Sequence, residues 1–310
     1  MQMKKIILSS LLVLSLGLVS CENDALNDKS VIREPEYQQN DFDRWLYANY
    51  ILPYNIDVKY RYLDIESSLD HQLIPADYKK SIQLAHLVKF LCLEAYDELT
   101  GSKEFMRTYF PKIMPYIGSS AYQNNGSVIL GQAEGGRKIT LFNVNNVNPK
   151  DIAKLTDEYF HTIHHEFAHI LHQTIPYSPD YNQISGSMYR GDNGFDYYGE
   201  IGSKLGIDMD AAARRDGFIT AYASFEGQED FVEMISNYVV NSAETWNKMI
   251  DGAELGKETL NKKLQIVKSY LQENWDINID DLRAIVLRRS QEALNLDVDD
   301  LTVPTGDITE

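Results

Sequence analysis

The side chains best suited to chemistry lie in one short run, His165-Glu166-Phe167-Ala168-His169. Two histidines four residues apart project from one face of a helix, so both imidazoles can reach a single metal ion. Glu166 would lie beside that ion, where a base for a bound water is needed. Neutral imidazole ligands suit zinc, and a catalytic zinc keeps one coordination position open for water. The spacing therefore predicts one zinc ion bound by a helix.

The surroundings of this motif favour a buried helix over a chance match. A coincidental match on a solvated helix would usually carry charges at the intervening and flanking positions. Here those positions are uncharged, so residues 150–174 are predicted to form a helix that can pack against a core. The uncharged side chains are those of Thr162, Ile163, Phe167, Ala168, Ile170 and Leu171.

Three further histidines lie near the same helical stripe. His161 is four residues before the first predicted ligand, and His172 is three residues after the second. A straight helix cannot easily aim three such side chains at one tetrahedral ion. His161, His164 and His172 are therefore interpreted as partners of the ligands, as cleft-wall residues or as plain surface residues.

A third ligand is expected from the acidic run that begins at Tyr222 and ends at Glu233. This run resembles the gluzincins of the lethal-factor-like type, whose zinc-binding glutamate opens a Glu-x-Phe-x-Glu sequence. The resemblance implies that Glu229 is the ligand, that Glu233 accepts a hydrogen bond from a ligand histidine, and that Tyr222 faces the open metal position. Asp230 and Glu226 are the alternative ligands, and a solvated acidic helix face is the alternative interpretation of the run.

The beginning of the chain has the features of a secretory leader. Residues 1–20 combine two early lysines with an apolar stretch that is too short to span a bilayer comfortably. Residues 18–21, Leu-Val-Ser-Cys, resemble the lipobox of bacterial lipoproteins. The resemblance implies that Cys21 becomes the lipidated first residue of an outer-membrane lipoprotein that faces the periplasm or the cell surface. The alternative is an ordinary signal peptide with a chance cysteine at its cleavage site.

Composition restricts both the class of protein and its partners. The chain has 310 residues, of which 44% are apolar and 24% are charged, as in ordinary globular domains. Its formal net charge of -17 would repel phosphate backbones, so nucleic acid is not expected as a partner. Cys92 is the only cysteine besides Cys21, which leaves no pair for a disulfide framework once Cys21 is lipidated.

The composition along the chain divides it into four parts. The leader at residues 1–20 is followed by a polar tether at residues 21–39. A single zinc metallohydrolase domain is expected at residues 40–296, and an acidic tail at residues 297–310. The fold class expected for the domain is α+β, with a small antiparallel sheet packed on the motif-bearing helix and a mostly helical C-terminal half.

Local patterns place the elements of this domain. An alternation of apolar and charged residues that begins at Asp57 predicts a strand, and a glycine pair at residues 135–136 predicts a hairpin. Residues 176–206 have no helical period and predict a long loop. Further helices are predicted at residues 76–98, 208–215, 227–242, 256–274 and 279–294.

The leader, the His-Glu-x-x-His motif and the Glu-Asp-Phe-x-Glu run together resemble the zinc-binding lipoprotein peptidases of Bacteroidetes. Within that group they are similar to metallohydrolase lipoproteins encoded beside outer-membrane nutrient importers. The resemblance covers the leader and residues 161–239, and implies a zinc-dependent peptidase, a peptide or protein substrate and an import complex as partner. Two alternatives stay open: hydrolysis of an amide in a glycan or cell-wall peptide, and a non-catalytic nutrient-binding lipoprotein with a structural or vestigial metal site.

The predicted chemistry is hydrolysis of a peptide bond. Zinc would lower the pKa of its bound water toward about 7. Glu166 would take the proton of that water and later pass it to the leaving amine. Tyr222 would donate a hydrogen bond to the oxyanion of the tetrahedral intermediate. The strand at residues 138–144 is expected to offer an edge to an extended substrate.

Overall fold

A computed structural model describes residues 39–62, 73–122, 128–129, 131–134 and 137–303. The predicted leader, Cys21 and nearly all of the predicted tether lie outside these residues, so what was predicted for them remains a prediction. Residues Asn40–Glu310 belong to one compact unit. None of the helices in the described part of the chain is both long enough and apolar enough to cross a membrane.

Two helices in the first third of this unit begin where a side chain caps them. Asn40 accepts a hydrogen bond from the backbone N–H of Asp43 at 2.9 Å, and the Asp43 carboxylate accepts one from the N–H of Asn40 at 2.8 Å. This capping box fixes the start of the first helix. The second helix is capped by Asp77, which accepts from the N–H of Lys80 at 2.9 Å. The helices are Asp41–Leu46 (α1), Tyr78–Val88 (α2), Glu94–Thr100 (α3) and Glu104–Tyr109 (α4).

The main sheet is mostly parallel. The strands in the described residues are Asp57–Lys59 (β1), Ile113–Pro115 (β2), Ala121–Tyr122 (β3), Val128–Ile129 (β4), Gly131–Glu134 (β5) and Lys138–Leu141 (β6). The sheet has the order β1-β2-β6-β5, and β1, β2 and β6 run parallel. The predicted antiparallel sheet is therefore wrong for these three strands. The cause is that α2, α3 and α4 lie between β1 and β2 and return the chain in the same direction.

Antiparallel pairing occurs where the sequence predicts a hairpin. Strand β5 pairs with β6 so that Gly131 lies opposite Leu141 and Glu134 lies opposite Lys138. Strand β6 also pairs with β2 on its other side. The expectation that residues 138–144 offer a free edge is therefore wrong, and β5 is the last strand of this sheet. Strands β3 and β4 form a separate antiparallel pair.

The predicted helix that carries the histidine motif is confirmed. It consists of Ile152–Leu155 (α5) and His161–Thr174 (α6), joined by a π-helical turn at Thr156–Phe160. In this turn the N–H of His161 donates to the carbonyl of Thr156, five residues earlier. Such turns are frequent at functional sites, because they change the direction in which the following side chains point. Helix α6 contacts β5, and its buried apolar side chains are Ile163, Phe167, Ala168, Ile170 and Leu171.

The C-terminal half is helical, as predicted, but it also contains helices where a loop was predicted. The helices are Asp180–Ser185 (α7), Gly194–Leu205 (α8), Met209–Arg215 (α9), Gly227–Val240 (α10), Ala243–Asp251 (α11), Lys257–Trp275 (α12) and Ile279–Glu292 (α13). Three glycines lower the helix propensity of α8, and α7 has only six residues, so neither helix is evident in the sequence. Burial of Tyr181 and Tyr198 stabilises them instead. At Gly202 a Cβ would lie 2.7 Å from the Ile207 carbonyl oxygen, so the close approach there requires glycine.

The first residues of the predicted acidic tail pack against the helices. Asp299 accepts a hydrogen bond from the side-chain amide of Gln83 in α2 at 3.0 Å. Val298, Leu301 and Val303 are partly buried against the hydrophobic core. Residues 297–303 therefore continue the packed unit.

A buried ion pair joins α10 to α12. The ammonium of Lys263 lies 2.6 Å from the Asp230 carboxylate, and neither side chain is exposed to solvent. Lys263 also donates to the carbonyl of Gly217 at 2.7 Å, and Tyr189 donates to Asp230 at 2.9 Å. Because buried charges are costly unless they are paired and hydrogen-bonded, this pair fixes α10 against α12 in one arrangement.

Replacing Lys263 with methionine is expected to lower the free energy of unfolding by about 3–5 kcal/mol, because it leaves the Asp230 carboxylate buried without its cation. Urea unfolding followed by circular dichroism measures this change. The matched control is the double variant Asp230→Asn/Lys263→Met, which should lose less stability because no unpaired charge remains. Equal losses in the single and double variants would show that the pair is not what stabilises this contact.

Candidate metal centre

Three predicted ligands come together where α6 packs against α10. The Nε2 atom of His165 lies 3.1 Å from Oε2 of Glu229, and Nε2 of His169 lies 3.3 Å from the same oxygen. One donor atom from each residue lies within 4.8 Å of the others. Zinc bonds of about 2.0–2.2 Å in a tetrahedron separate the donor atoms by roughly 3.3 Å. The three side chains therefore fit one zinc ion with only small adjustments.

The burial of the three residues leaves one side of the group accessible. His165 is buried, whereas His169 and Glu229 are partly exposed. Among the described residues this is the group of histidines and acids whose atoms could share one ion. Three protein ligands with an accessible side match a catalytic zinc site, since structural sites are closed by four protein ligands.

The second ring nitrogen of His165 is held by Glu233. Nδ1 of His165 lies 2.7 Å from Oε1 of Glu233, one helical turn beyond Glu229. The other oxygen of Glu233 accepts hydrogen bonds from Thr220 at 2.7 Å and from Asn237 at 3.2 Å. A carboxylate at Nδ1 keeps a proton on that nitrogen, which leaves Nε2 free to bind a metal. The structure thus places Glu233 where the resemblance put it.

The three additional histidines have three different environments. Nε2 of His172 lies 3.0 Å from Nδ1 of His169, so His172 contacts a predicted ligand. Nε2 of His161 lies 3.4 Å from Oε1 of Glu233 and therefore borders the same carboxylate. His164 is buried, and its Nδ1 contacts the hydroxyl of Tyr96 at 3.1 Å.

The two alternative ligands are occupied elsewhere or exposed. Asp230 is the residue after Glu229, but its carboxylate pairs with Lys263. Glu226 is exposed and immediately precedes α10. Of the acids in this run, Glu229 is the one whose oxygen meets both histidines.

Glu166 and Tyr222 lie beside the same group. Glu166 is partly exposed on α6, and its charge acts on both His165 and Tyr222. The ring of Tyr222 lies 5.9 Å from that of His165, and the charge of Glu229 acts on its hydroxyl. Tyr222 belongs to the short 3₁₀ turn Tyr222–Ser224 that precedes α10. The two side chains assigned to catalysis are thus next to the predicted ligands.

The charges in the site shift the pKa values of its members strongly. Burial alone would lower the pKa of His165, but hydrogen bonds to Glu229 and Glu233 outweigh it and raise the pKa to about 10. Burial would raise the pKa of Glu233, but the nearby charge of His161 and the hydrogen bond from His165 lower it to about 2. The pKa of Glu229 is lowered in the same way by His165 and His169. In the metal-free chain a protonated His165 therefore lies between the two carboxylates and offsets one of their two charges.

Burial also raises the pKa of the Tyr222 phenol above its ordinary value, and the charge of Glu229 raises it further. Tyr222 therefore keeps its proton at neutral pH and can act as a hydrogen-bond donor.

Two partners of Glu233 were not found from the sequence. Asn237 is four residues after Glu233 on the same helix, so the helical spacing alone could have indicated it. Thr220 lies before α10 in a segment without helical period, and no sequence signal relates it to Glu233.

Comparison with known proteins agrees with this site. Residues 35–280 match a family described as "Putative zinc-binding metallo-peptidase". A crystal structure from Bacteroides caccae, described in the same words, is 37% identical, with a TM-score of 0.72, and the match covers 88% of this chain and 100% of that one. The chain therefore belongs to this family of zinc-binding metallopeptidases. No curated protein matches it.

Zinc binding near pH 8 is expected to release about one proton per ion, because a zinc ligand must be a neutral imidazole. The pKa of about 10 keeps His165 protonated in the metal-free chain, so the competing proton is lost only as the pH rises toward that value. The apparent zinc affinity should therefore rise by about tenfold per pH unit below pH 10. Calorimetry in two buffers with different ionisation enthalpies measures the released proton.

The control for this measurement is Glu233→Gln, which removes one of the carboxylates that raise the pKa of His165. It should release a smaller fraction of a proton at the same pH. If the parent bound zinc without releasing a proton, this would contradict the prediction that His165 is protonated before it becomes a ligand.

Proposed function

We propose that this protein is a zinc-dependent peptidase that hydrolyses peptide bonds with an activated water. The observation that carries the proposal is the convergence of His165 and His169 on one oxygen of Glu229, at 3.1 and 3.3 Å. These distances suit zinc, and the carboxylate of Glu166 lies one residue from a ligand on the same helix. Membership of a metallopeptidase family makes a peptide the favoured substrate.

The proposed chemistry divides between the ion and the side chains around it. Zinc, when bound to the three ligands, supplies a Lewis acid that lowers the pKa of water to about 7. Glu166 accepts the proton of the attacking water and returns it to the leaving amine. Glu233 holds the proton on Nδ1 of His165 and so keeps Nε2 directed at the ion.

Tyr222 is proposed to stabilise the negative charge that develops on the carbonyl oxygen of the substrate. Its ring is next to His165, and its raised pKa keeps the hydroxyl protonated. A preformed donor of this kind contributes most where charge develops in the transition state.

Strand β5 is proposed to align the substrate. It is the last strand of the main sheet among the described residues and contacts α6, the helix with the proposed histidine ligands. An extended peptide can pair with such an edge through main-chain hydrogen bonds, independently of its side chains. This arrangement favours a peptide over the amide of a glycan, which has no strand-like backbone.

The experiment that tests the proposal compares zinc content and peptide cleavage in the purified parent and four variants. The parent should contain about one zinc per chain, and Glu229→Ala should lose it. Glu166→Gln should keep zinc but cleave a mixed peptide library about 10²–10⁴-fold more slowly. Tyr222→Phe should keep zinc and lose about 10²–10³-fold in kcat. Glu226→Ala, which removes an exposed acid of the same run, is the matched control and should equal the parent.

The outcomes separate the parts of the proposal. If Glu229→Ala retained zinc, the third ligand would be another residue. If Glu166→Gln cleaved peptides at the full rate, Glu166 would not be the base. A zinc-loaded parent that cleaves no peptide in the library would favour the non-catalytic nutrient-binding alternative.

We further propose that lipidated Cys21 anchors the protein to the outer membrane, beside a nutrient importer. The support is the sequence of the leader and its resemblance to the lipobox. Cells fed an alkyne-tagged fatty acid should label the parent and direct it to the membrane fraction. Cys21→Ala should be unlabelled, and labelling that persists in this variant would contradict the anchor. Crosslinking in the native cell tests the association with an importer. If no crosslink to an importer formed, that association would be contradicted, but the proposed lipid anchor would not be affected.

A further inference from the structure

His172 is buried directly behind one of the proposed zinc ligands. It lies three residues after His169 on α6, with 6% of its surface exposed. Its Nε2 atom is 3.0 Å from Nδ1 of His169. Two ring nitrogens at this distance share one hydrogen bond, so one of them carries the proton and the other accepts it.

The ring of His172 is held by an aromatic cluster. Tyr177 and Phe231 both meet it nearly edge to face, with centroids 5.5 and 6.3 Å away. These two rings stack on each other at 4.0 Å, and Tyr177 donates to the side chain of Asn182 at 3.0 Å. Contacts from α10 and from the segment after α6 therefore fix the direction in which Nε2 of His172 points.

The direction of the shared hydrogen bond follows from the requirement of zinc for an unprotonated ring nitrogen. A zinc ion uses the lone pair on Nε2 of His169, which is the nitrogen that faces Glu229. The ring proton of neutral His169 must then lie on Nδ1, where Nε2 of His172 accepts it. His172 must consequently carry its own proton on Nδ1. The two ligand histidines are thus oriented by different acceptors, a carboxylate for His165 and a neutral imidazole for His169.

We infer that His172 is a positioning residue that fixes the tautomer and the ring orientation of His169 for metal binding. The inference rests on the proposed zinc site and adds the acceptor for its second histidine. Hydrogen-bond acceptors behind metal-binding histidines typically contribute 10–100-fold to metal affinity.

The first test measures zinc affinity of the full chain by competition with a chromogenic chelator. His172→Phe keeps an aromatic ring but has no acceptor, so its zinc affinity should fall by about 10–100-fold. His172→Gln places an amide oxygen near the position of Nε2 and should restore the affinity to within a few-fold of the parent. The matched control is His164→Phe, a buried histidine of the same helix that contacts Tyr96, and it should bind zinc like the parent.

The pattern across these variants separates positioning from general packing. Equal zinc affinity in His172→Phe and the parent would overturn the inference while leaving the proposed zinc site intact. Equal losses in His172→Phe and His172→Gln would also overturn it, because the acceptor would then be irrelevant. A parent that binds no zinc would overturn the proposed function, and this inference with it.

A second test needs no variant to fold. The chain has seven histidines, and two-bond ¹H–¹⁵N correlation spectra of the zinc-loaded parent report which nitrogen of each ring is protonated. His169 should show a protonated Nδ1 and a metal-bound Nε2, and His172 a protonated Nδ1 and an unprotonated Nε2. A proton on Nε2 of His172 in the zinc-loaded chain would overturn the inference.

Discussion

The packing of α6 against α10 places two imidazoles against two carboxylates in a largely buried site. His165 and His169 lie one turn apart on α6, and Glu229 and Glu233 lie one turn apart on the facing side of α10. In the metal-free chain the protonated ring of His165 lies between both acids, whose hydrogen bonds raise its pKa, so one positive charge offsets one of their two negative charges. The same arrangement suits a divalent cation, because removing that proton exposes a nitrogen already aimed at Glu229. Metal binding and the contact between the two helices therefore depend on the same side chains.

The surroundings keep α10 in the orientation that this contact requires. Successive side chains of the helix point in different directions, so Glu229 meets the histidines while Asp230 turns toward Lys263 on α12. The buried ion pair thus fixes the rotation of the helix that carries Glu229, the proposed third ligand. With zinc bound as proposed, the carboxylates of Glu229 and Glu233 would balance the two charges of the ion, since His172 is proposed as a neutral acceptor. The carboxylate of Glu166 would then remain as the proposed base.

The sequence by itself determined those residues of the site that are related to one another by helical spacing. His165, Glu166 and His169 are related by helical spacing, and so are Glu229 and Glu233. Which residues share a helix face depends only on local geometry. A single sequence is therefore sufficient to predict which of these side chains lie together. The same periodicity determined α6, α10 and the two long helices after them. Strands β5 and β6 were predicted correctly as an antiparallel pair because they are close in the sequence and a glycine pair separates them.

Only the tertiary structure decided which distant segments meet, and in which direction. A three-residue strand such as β1 carries no sign of whether its neighbour runs parallel, since the intervening helices set that direction. The short helix α7 and the glycine-containing helix α8 are stabilised by burial of tyrosines against the rest of the unit, which no local propensity reveals. His172 had three possible environments in the sequence, and the packing of Tyr177 and Phe231 selected the contact with His169. Periodicity defines faces, whereas long-range packing decides what each face touches.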